Sequence, residues 1–86
     1  MLDKNELNYF EFSRSENEKF WRRLDVKPNF KDKTVLDFGC GHGALSIDIG
    51  LLGAKSITGI DLEDKLIIFA KKNLKKNFLF LENKIS

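Results

Sequence analysis

Two acidic residues and a run of alternating glycines are the residues of this sequence best suited to bind a ligand. Asp37 ends a short apolar segment, and glycines follow at every second position, Gly39, Gly41 and Gly43. A chain that passes from a strand through glycines into a helix presents bare backbone N–H groups, which a ligand can approach closely. A second acid, Asp61, lies 18 residues after Gly43. This layout is typical of a site that binds the ribose hydroxyls of an adenosine-containing cofactor.

The segments around these residues alternate between strand and helix patterns. The first strand is continuously apolar up to Asp37, which is typical of a parallel strand covered on both faces. Parallel strands joined by helical crossovers predict an α/β fold with an open parallel sheet. Its three strands are expected in the order 3-2-1, so that the sheet is truncated beside the first strand. The predicted strands are residues 34–38, 56–60 and 78–81, and the predicted helices are residues 43–52 and 63–77.

An N-terminal segment precedes this alternating pattern. Ser15 and Glu18 have the spacing of a helix capping box, and we predict a helix at about residues 15–25. The chain therefore divides into an N-terminal helical arm with a connector, residues 1–33, and a cofactor-binding βαβαβ half-domain, residues 34–86.

The composition is that of an ordinary globular domain, with 42% hydrophobic and 33% charged residues among 86. A net charge of +2 does not favour a nucleic-acid or membrane partner. Cys40 is the one cysteine, so an internal disulfide is excluded and a reducing compartment is expected. The sequence has neither the apolar core of a signal peptide nor a run of about 20 apolar residues, so we expect a cytoplasmic location.

Two segments carry a resemblance to a known family. Residues 35–43, Val-Leu-Asp-Phe-Gly-Cys-Gly-His-Gly, resemble the first motif of the Rossmann-like (class I) S-adenosylmethionine-dependent methyltransferases. Residues 59–62, Gly-Ile-Asp-Leu, resemble the acidic loop after that family's second strand. The resemblance covers residues 34–64 and implies a Rossmann-like fold, S-adenosylmethionine as cofactor and methyl transfer as activity. It corresponds to the N-terminal half of the family's domain.

The resemblance also implies roles for individual residues. Asp37 would steady the glycine turn and approach the amino group of the cofactor's methionine portion. Asp61 would accept hydrogen bonds from both ribose hydroxyls, and Leu62 would pack on the adenine. The implied cofactor-binding residues are Asp37, Gly39, Cys40, Gly41, Gly43, Asp61 and Leu62. One departure is Lys84, which aligns where the family commonly has an acid that contacts the adenine.

The expected partner is a small-molecule methyl acceptor, with no nucleic acid and no membrane. The family's catalytic residues come mostly from the fourth strand onward, so no catalytic residue is assigned and the 86-residue chain alone is expected to be inactive. The open edge of the first strand would expose unpaired backbone groups, which suggests self-association through that edge.

Two alternatives remain open at this point. Gly39-x-Gly41-x-x-Ala44 also satisfies a permissive dinucleotide fingerprint, so an NAD(P)-dependent oxidoreductase is one of them. Asp37 disfavours it, because a carboxylate there would repel a pyrophosphate, whereas S-adenosylmethionine is cationic and has no phosphate. The other is a non-catalytic cofactor-binding fragment. A metal site is not expected, because Cys40 and His42 have no second cysteine or histidine to complete a ligand set; His42 is expected on the solvent side of the turn.

Overall fold

The computed structural model describes residues 2–25 and 28–86. Within them, helices lie against a two-stranded parallel sheet. This arrangement confirms the predicted α/β class, and it confirms the strands and helices predicted between residues 34 and 77 to within two residues. The elements are α1 (Lys4–Leu24), β1 (Thr34–Phe38), α2 (Ala44–Leu51), β2 (Ser56–Ile60), α3 (Asp64–Asn77) and a short 3₁₀ helix, η1 (Leu79–Leu81).

Helix α1 is one continuous helix of 21 residues, so the predicted helix start at Ser15 is wrong. Its N-cap is Asp3, whose carboxylate accepts hydrogen bonds from the amides of Asn5 and Glu6 at 2.8 and 3.1 Å. The hydroxyl of Ser15 instead donates to the carbonyl of Phe12 at 2.6 Å, a bond that a serine inside a helix commonly makes. The capping-box spacing was therefore misleading, since the same residues also fit a helix interior.

The two strands pair in parallel, with Asp37 opposite Gly59 at the end that leads into the glycine turn. Alternate residues face opposite sides of the sheet. On the side covered by the helices, Ile57 is fully buried, whereas Leu36 and Phe38 on the other side are 62% and 84% exposed. The prediction that β1 is covered on both faces is therefore wrong for this chain, because the described helices cover one face only.

The strand predicted at 78–81 is wrong, because these residues form η1 and part of the core. Leu81 is buried, and the rings of Phe78 and Phe10 lie 5.9 Å apart. Parallel pairing with β2 comes later, where Ile85 bridges Ile57 and the amide of Ile57 donates to the carbonyl of Lys84 at 2.7 Å. The third segment thus lies beside β2, as the order 3-2-1 requires, and Lys84 lies at its start rather than in the loop after a third strand.

Phe10 of α1 is fully buried and joins the helices into the main core. An ion pair also holds α1 against α2, since Nε of Arg14 lies 2.8 Å from Oδ1 of Asp48. No helix within residues 2–25 and 28–86 has both the length and the apolar character needed to cross a membrane. The main core consists of Phe10, Ala44, Ile47, Phe69, Leu74 and Leu81, and a second cluster consists of Ile49, Ala54 and Ile57.

Candidate cofactor site

The turn between β1 and α2 is built from glycines in left-handed backbone conformations. Gly39, Gly41 and Gly43 have φ angles of 76°, 53° and 86°, which residues other than glycine rarely adopt. The amides of Gly39 and Cys40 both donate to the carbonyl of Ile60, at 2.7 and 2.9 Å. The turn is therefore attached to the end of β2, the strand that leads into the second predicted acid.

Asp61 binds the same turn from the other side. Its Oδ2 accepts a hydrogen bond from the amide of Gly41 at 2.9 Å, and its Oδ1 accepts one from the amide of Glu63 at 2.8 Å. These two hydrogen bonds hold the pKa of Asp61 below its usual range, and the bond from Glu63 has the larger effect. Desolvation of the carboxylate opposes this shift only in part. Asp61 is therefore an ionised acceptor at neutral pH, and it lies where the two loops meet.

Asp37 lies behind the turn, and its side chain is only 8% exposed. Its Oδ2 accepts a hydrogen bond of 2.6 Å from the hydroxyl of Ser46, which is itself buried on α2. The pair joins the end of β1 to the first turns of α2. Ser46 was not predicted as a site residue, although a serine among the apolar residues of α2 indicates that a buried partner is needed.

The glycines differ in the space that surrounds them. A Cβ added at Gly39 would meet no atom within 4 Å, and one at Gly41 would only touch Leu66, at 3.9 Å. A Cβ at Gly43, by contrast, would lie 3.3 Å from the Cβ of Ala70. Gly39 and Gly41 therefore leave open space beside the turn, while Gly43 allows α2 to approach α3. The predicted adenine-facing residue, Leu62, is fully exposed next to Asp61.

A cleft of 330 Å³ lies beside the turn. One wall is formed by Gly39 to His42, and another by a face of α1 that includes Tyr9 and Ser13. A larger cavity of 420 Å³ lies along α3, lined mainly by apolar residues such as Leu74. It shares Cys40 and His42 with the first cleft but not Gly39 or Gly41, so the smaller cleft, whose wall at Gly41 is bonded to Asp61, is the candidate site.

The ring of His42 packs between two aromatic rings, 4.8 Å from Tyr9 and 5.1 Å from Phe69. His42 is half-buried, and these contacts of its ring with α1 and α3 were not expected from the sequence. Burial raises the pKa of the Cys40 thiol, and the charges of Asp37 and Asp61 add to the shift, so the thiol is neutral at physiological pH. In the part of the chain that the structure describes, no three residues of the metal-ligating types come together.

The family model of the ribosomal protein L11 methyltransferase (PrmA) matches residues 6–85. Among curated proteins, the chain is similar to the ribosomal protein L11 methyltransferase of Teredinibacter turnerae, with 44% identity over 55 residues. These residues are 64% of this chain and 18% of that protein. The match therefore spans less than a fifth of the relative's length.

Solved structures with a similar fold are also methyltransferases. One, from Listeria monocytogenes, is described as S-adenosylmethionine-dependent; it has a TM-score of 0.61 and 34% identity over 77% of this chain and 29% of that one. Another is the PRMT1 enzyme–prozyme complex of Trypanosoma brucei with AdoHcy, with a TM-score of 0.60 and 38% identity over 66% of this chain and 17% of that one. The predicted Rossmann-like methyltransferase family and its cofactor, S-adenosylmethionine, are confirmed.

The predicted partners are corrected by the same comparisons. The matched family and the curated relatives are named for a ribosomal protein, which is a macromolecule from a protein–RNA particle. The expectation of a small-molecule acceptor without any nucleic-acid context is therefore wrong. Composition misled here, because a net charge of +2 over the whole chain carries no information about the acceptor.

Proposed function

This chain belongs to the ribosomal protein L11 methyltransferase family, and from that premise we propose that it forms the cofactor-binding part of a methyltransferase that modifies a ribosomal protein. The cofactor supplies an electrophilic methyl group on its sulfonium centre. The names of the relatives support a ribosomal protein as acceptor, and they support a cytoplasmic location. Because the match spans 18% of the relative, the activity is proposed for the complete enzyme rather than for these 86 residues.

The observation that carries the proposal is the position of Asp61. Each of its oxygens accepts one backbone N–H, from Gly41 and from Glu63, and keeps a further acceptor site. Two oxygens with free acceptor sites suit the two adjacent hydroxyls of a ribose, and bonds to an ionised acceptor are stronger than neutral ones. Asp61 would therefore hold the ribose where the loops after β1 and β2 meet.

The remaining site residues surround this point. Gly39 and Gly41 provide the open space that the methionine and ribose portions would occupy, with the backbone of Cys40 between them. Asp37, buried behind the turn, supplies a negative charge toward the cationic end of the cofactor. Gly43 begins α2, and the exposed side chain of Leu62 provides an apolar surface for adenine.

We retain the division into a helical arm, residues 1–33, and a cofactor-binding half-domain, residues 34–86, as part of the proposal. The half-domain contains every residue assigned to the cofactor above. We expect the isolated chain to bind the cofactor without transferring its methyl group, since the relatives are several times longer than the matched segment.

Calorimetric titration of the chain with S-adenosylhomocysteine and, separately, with NADH tests the proposal. We expect one S-adenosylhomocysteine per chain and no heat from NADH. Binding of NADH alone would contradict the proposal, because it would favour the dinucleotide reading of the same glycines. For the acceptor, the complete enzyme should transfer a radioactive methyl group to purified ribosomal protein rather than to small molecules in a cell extract.

A further inference from the structure

We infer that the hydroxyl groups of Tyr9 and Ser13, on α1, bind the carboxylate at the amino-acid end of the cofactor. The inference rests on the proposed function and adds two residues from outside the half-domain to the cofactor site. Neither residue belongs to the glycine turn or to the acidic loop, from which the cofactor-binding residues were assigned.

Tyr9, Ser13 and Asn17 follow one another at intervals of four residues, so they lie on one face of α1. This face forms a wall of the 330 Å³ cleft, and the residues from Gly39 to His42 form the facing wall. The ring centroids of Tyr9 and His42 are only 4.8 Å apart, so the helix and the turn are in direct contact at the cleft.

The face of α1 that carries Tyr9 and Ser13 is held in place by its neighbours. Phe10, the neighbour of Tyr9 in sequence, is fully buried in the main core. Arg14, the neighbour of Ser13, forms the 2.8 Å ion pair with Asp48 of α2. The residues that anchor α1 thus lie beside the two hydroxyl-bearing residues, and they hold this face of the helix against the turn.

The polar side chains on this face differ in their hydrogen bonds. The side-chain Nδ2 of Asn17 already donates a hydrogen bond to Oδ2 of Asp48 at 2.7 Å. By contrast, no hydrogen bond among the described residues engages the hydroxyl of Tyr9 or of Ser13. Each hydroxyl therefore has one donor available for a ligand in the cleft.

No Asp or Glu side chain lines the cleft, although the charges of Asp37 and Asp61 act on Cys40 in the facing wall, so an anionic group is favoured on the α1 side rather than beside Cys40. The first residues of α2, Ala44 and Leu45, also line it, and the positive end of that helix favours an anion. The cofactor carries one carboxylate, at its amino-acid end, and two hydroxyl donors suit it.

Calorimetry with two ligands tests the inference. S-adenosylhomocysteine has the amino-acid end, whereas 5′-methylthioadenosine has the same adenosine and sulfur without it. We expect Tyr9→Phe and Ser13→Ala each to weaken S-adenosylhomocysteine about tenfold, because each removes one bond to a charged group. Their affinities for 5′-methylthioadenosine should match the wild type. Tyr9→Phe keeps the ring beside His42, so its effect reports the hydroxyl alone.

Two further variants serve as controls. Ser15→Ala removes a hydroxyl from the same helix that donates to the carbonyl of Phe12, and it should change neither affinity. Ser13→Thr keeps the hydroxyl and should bind S-adenosylhomocysteine within about twofold of the wild type. Two outcomes would overturn this inference and leave the proposed function standing. Either the Tyr9 and Ser13 variants lose affinity equally for both ligands, or their affinity for S-adenosylhomocysteine is unchanged. If the wild-type chain binds neither ligand, the proposed function fails with it.

Discussion

Asp61 accepts a hydrogen bond from the amide of Gly41 over 2.9 Å, although the two residues belong to loops that follow different strands. Its other carboxylate oxygen accepts the amide of Glu63 at 2.8 Å. The carbonyl of Ile60, one residue earlier, accepts the amides of Gly39 and Cys40. The end of β2 therefore shapes the glycine turn through three hydrogen bonds. An acid that would bind the cofactor also positions the backbone beside it.

This double role leads to a first prediction, for Asp61→Asn. The substitution removes the charge and replaces one accepting oxygen by a donating NH₂, which cannot pair with the amide of Gly41 or Glu63. We expect the affinity for S-adenosylhomocysteine to fall by more than about tenfold in calorimetric titration. Asp64→Asn is the matched control, since Asp64 is an exposed acid three residues further on. An affinity within twofold of the wild type for the Asp61 variant would contradict the ribose assignment.

The lowered pKa of Asp61 predicts how stability depends on pH. A carboxyl group whose folded-state pKa lies below the ordinary value of about 3.9 stabilises the fold above that value, and the contribution is lost as the pH falls through the lowered pKa. We therefore expect the wild type to lose more unfolding free energy than Asp61→Asn between about pH 5 and pH 2. Urea unfolding at a series of pH values measures this difference. Parallel curves for the two proteins would show that the loop contacts of Asp61 do not persist in solution.

The two glycines at the ends of the turn should respond differently to alanine. Both have positive φ, so each substitution costs about 1–2 kcal/mol of stability from the backbone alone. At Gly43 the added Cβ would also lie 3.3 Å from Ala70, which adds a packing cost of about 1 kcal/mol or more. At Gly39 the Cβ would enter the open space assigned to the cofactor.

We therefore expect Gly43→Ala to be the less stable variant in urea unfolding, and Gly39→Ala to show the greater loss of S-adenosylhomocysteine affinity. The comparison separates a glycine that the fold requires from one that the ligand requires. Equal effects of both substitutions on binding would indicate that the space beside Gly39 lies outside the cofactor site.

The elements that sequence analysis predicted correctly are those in which pattern and context agree. The apolar run before Asp37, the alternating glycines and the apolar face of α2 each have one dominant interpretation, and the structure has a strand, a turn and a helix there. The spacing of Asp61 after the glycines indicated a shared site, and in the structure Asp61 lies beside the turn, because the carboxyl ends of neighbouring parallel strands meet at one edge of the sheet.

The errors come from patterns whose meaning depends on tertiary contacts. Residues 78–81 are apolar enough for a strand, but Leu81 is needed in the core, and pairing with β2 begins only near Ile85. The spacing of Ser15 and Glu18 fits a helix start, but Asp3 is the N-cap. The contact between α1 and the glycine turn joins residues that are distant in sequence, which no local pattern reports.

Cys40 provides a chemical probe of the same site. Burial raises the pKa of its thiol most, and the charges of Asp37 and Asp61 raise it further. Little thiolate is therefore present at neutral pH. We expect iodoacetamide to alkylate Cys40 more slowly at pH 7.5 than a thiol in an unfolded peptide, because the thiolate is the reactive form. Asp61→Asn removes one of the charges that raise the pKa, so the folded variant should react faster than the wild type. Mass spectrometry of the intact chain gives both rates.

Saturating S-adenosylhomocysteine should slow the alkylation of wild-type Cys40 further, since the proposed cofactor position covers the backbone on either side of Cys40. An unchanged rate would place the ligand elsewhere.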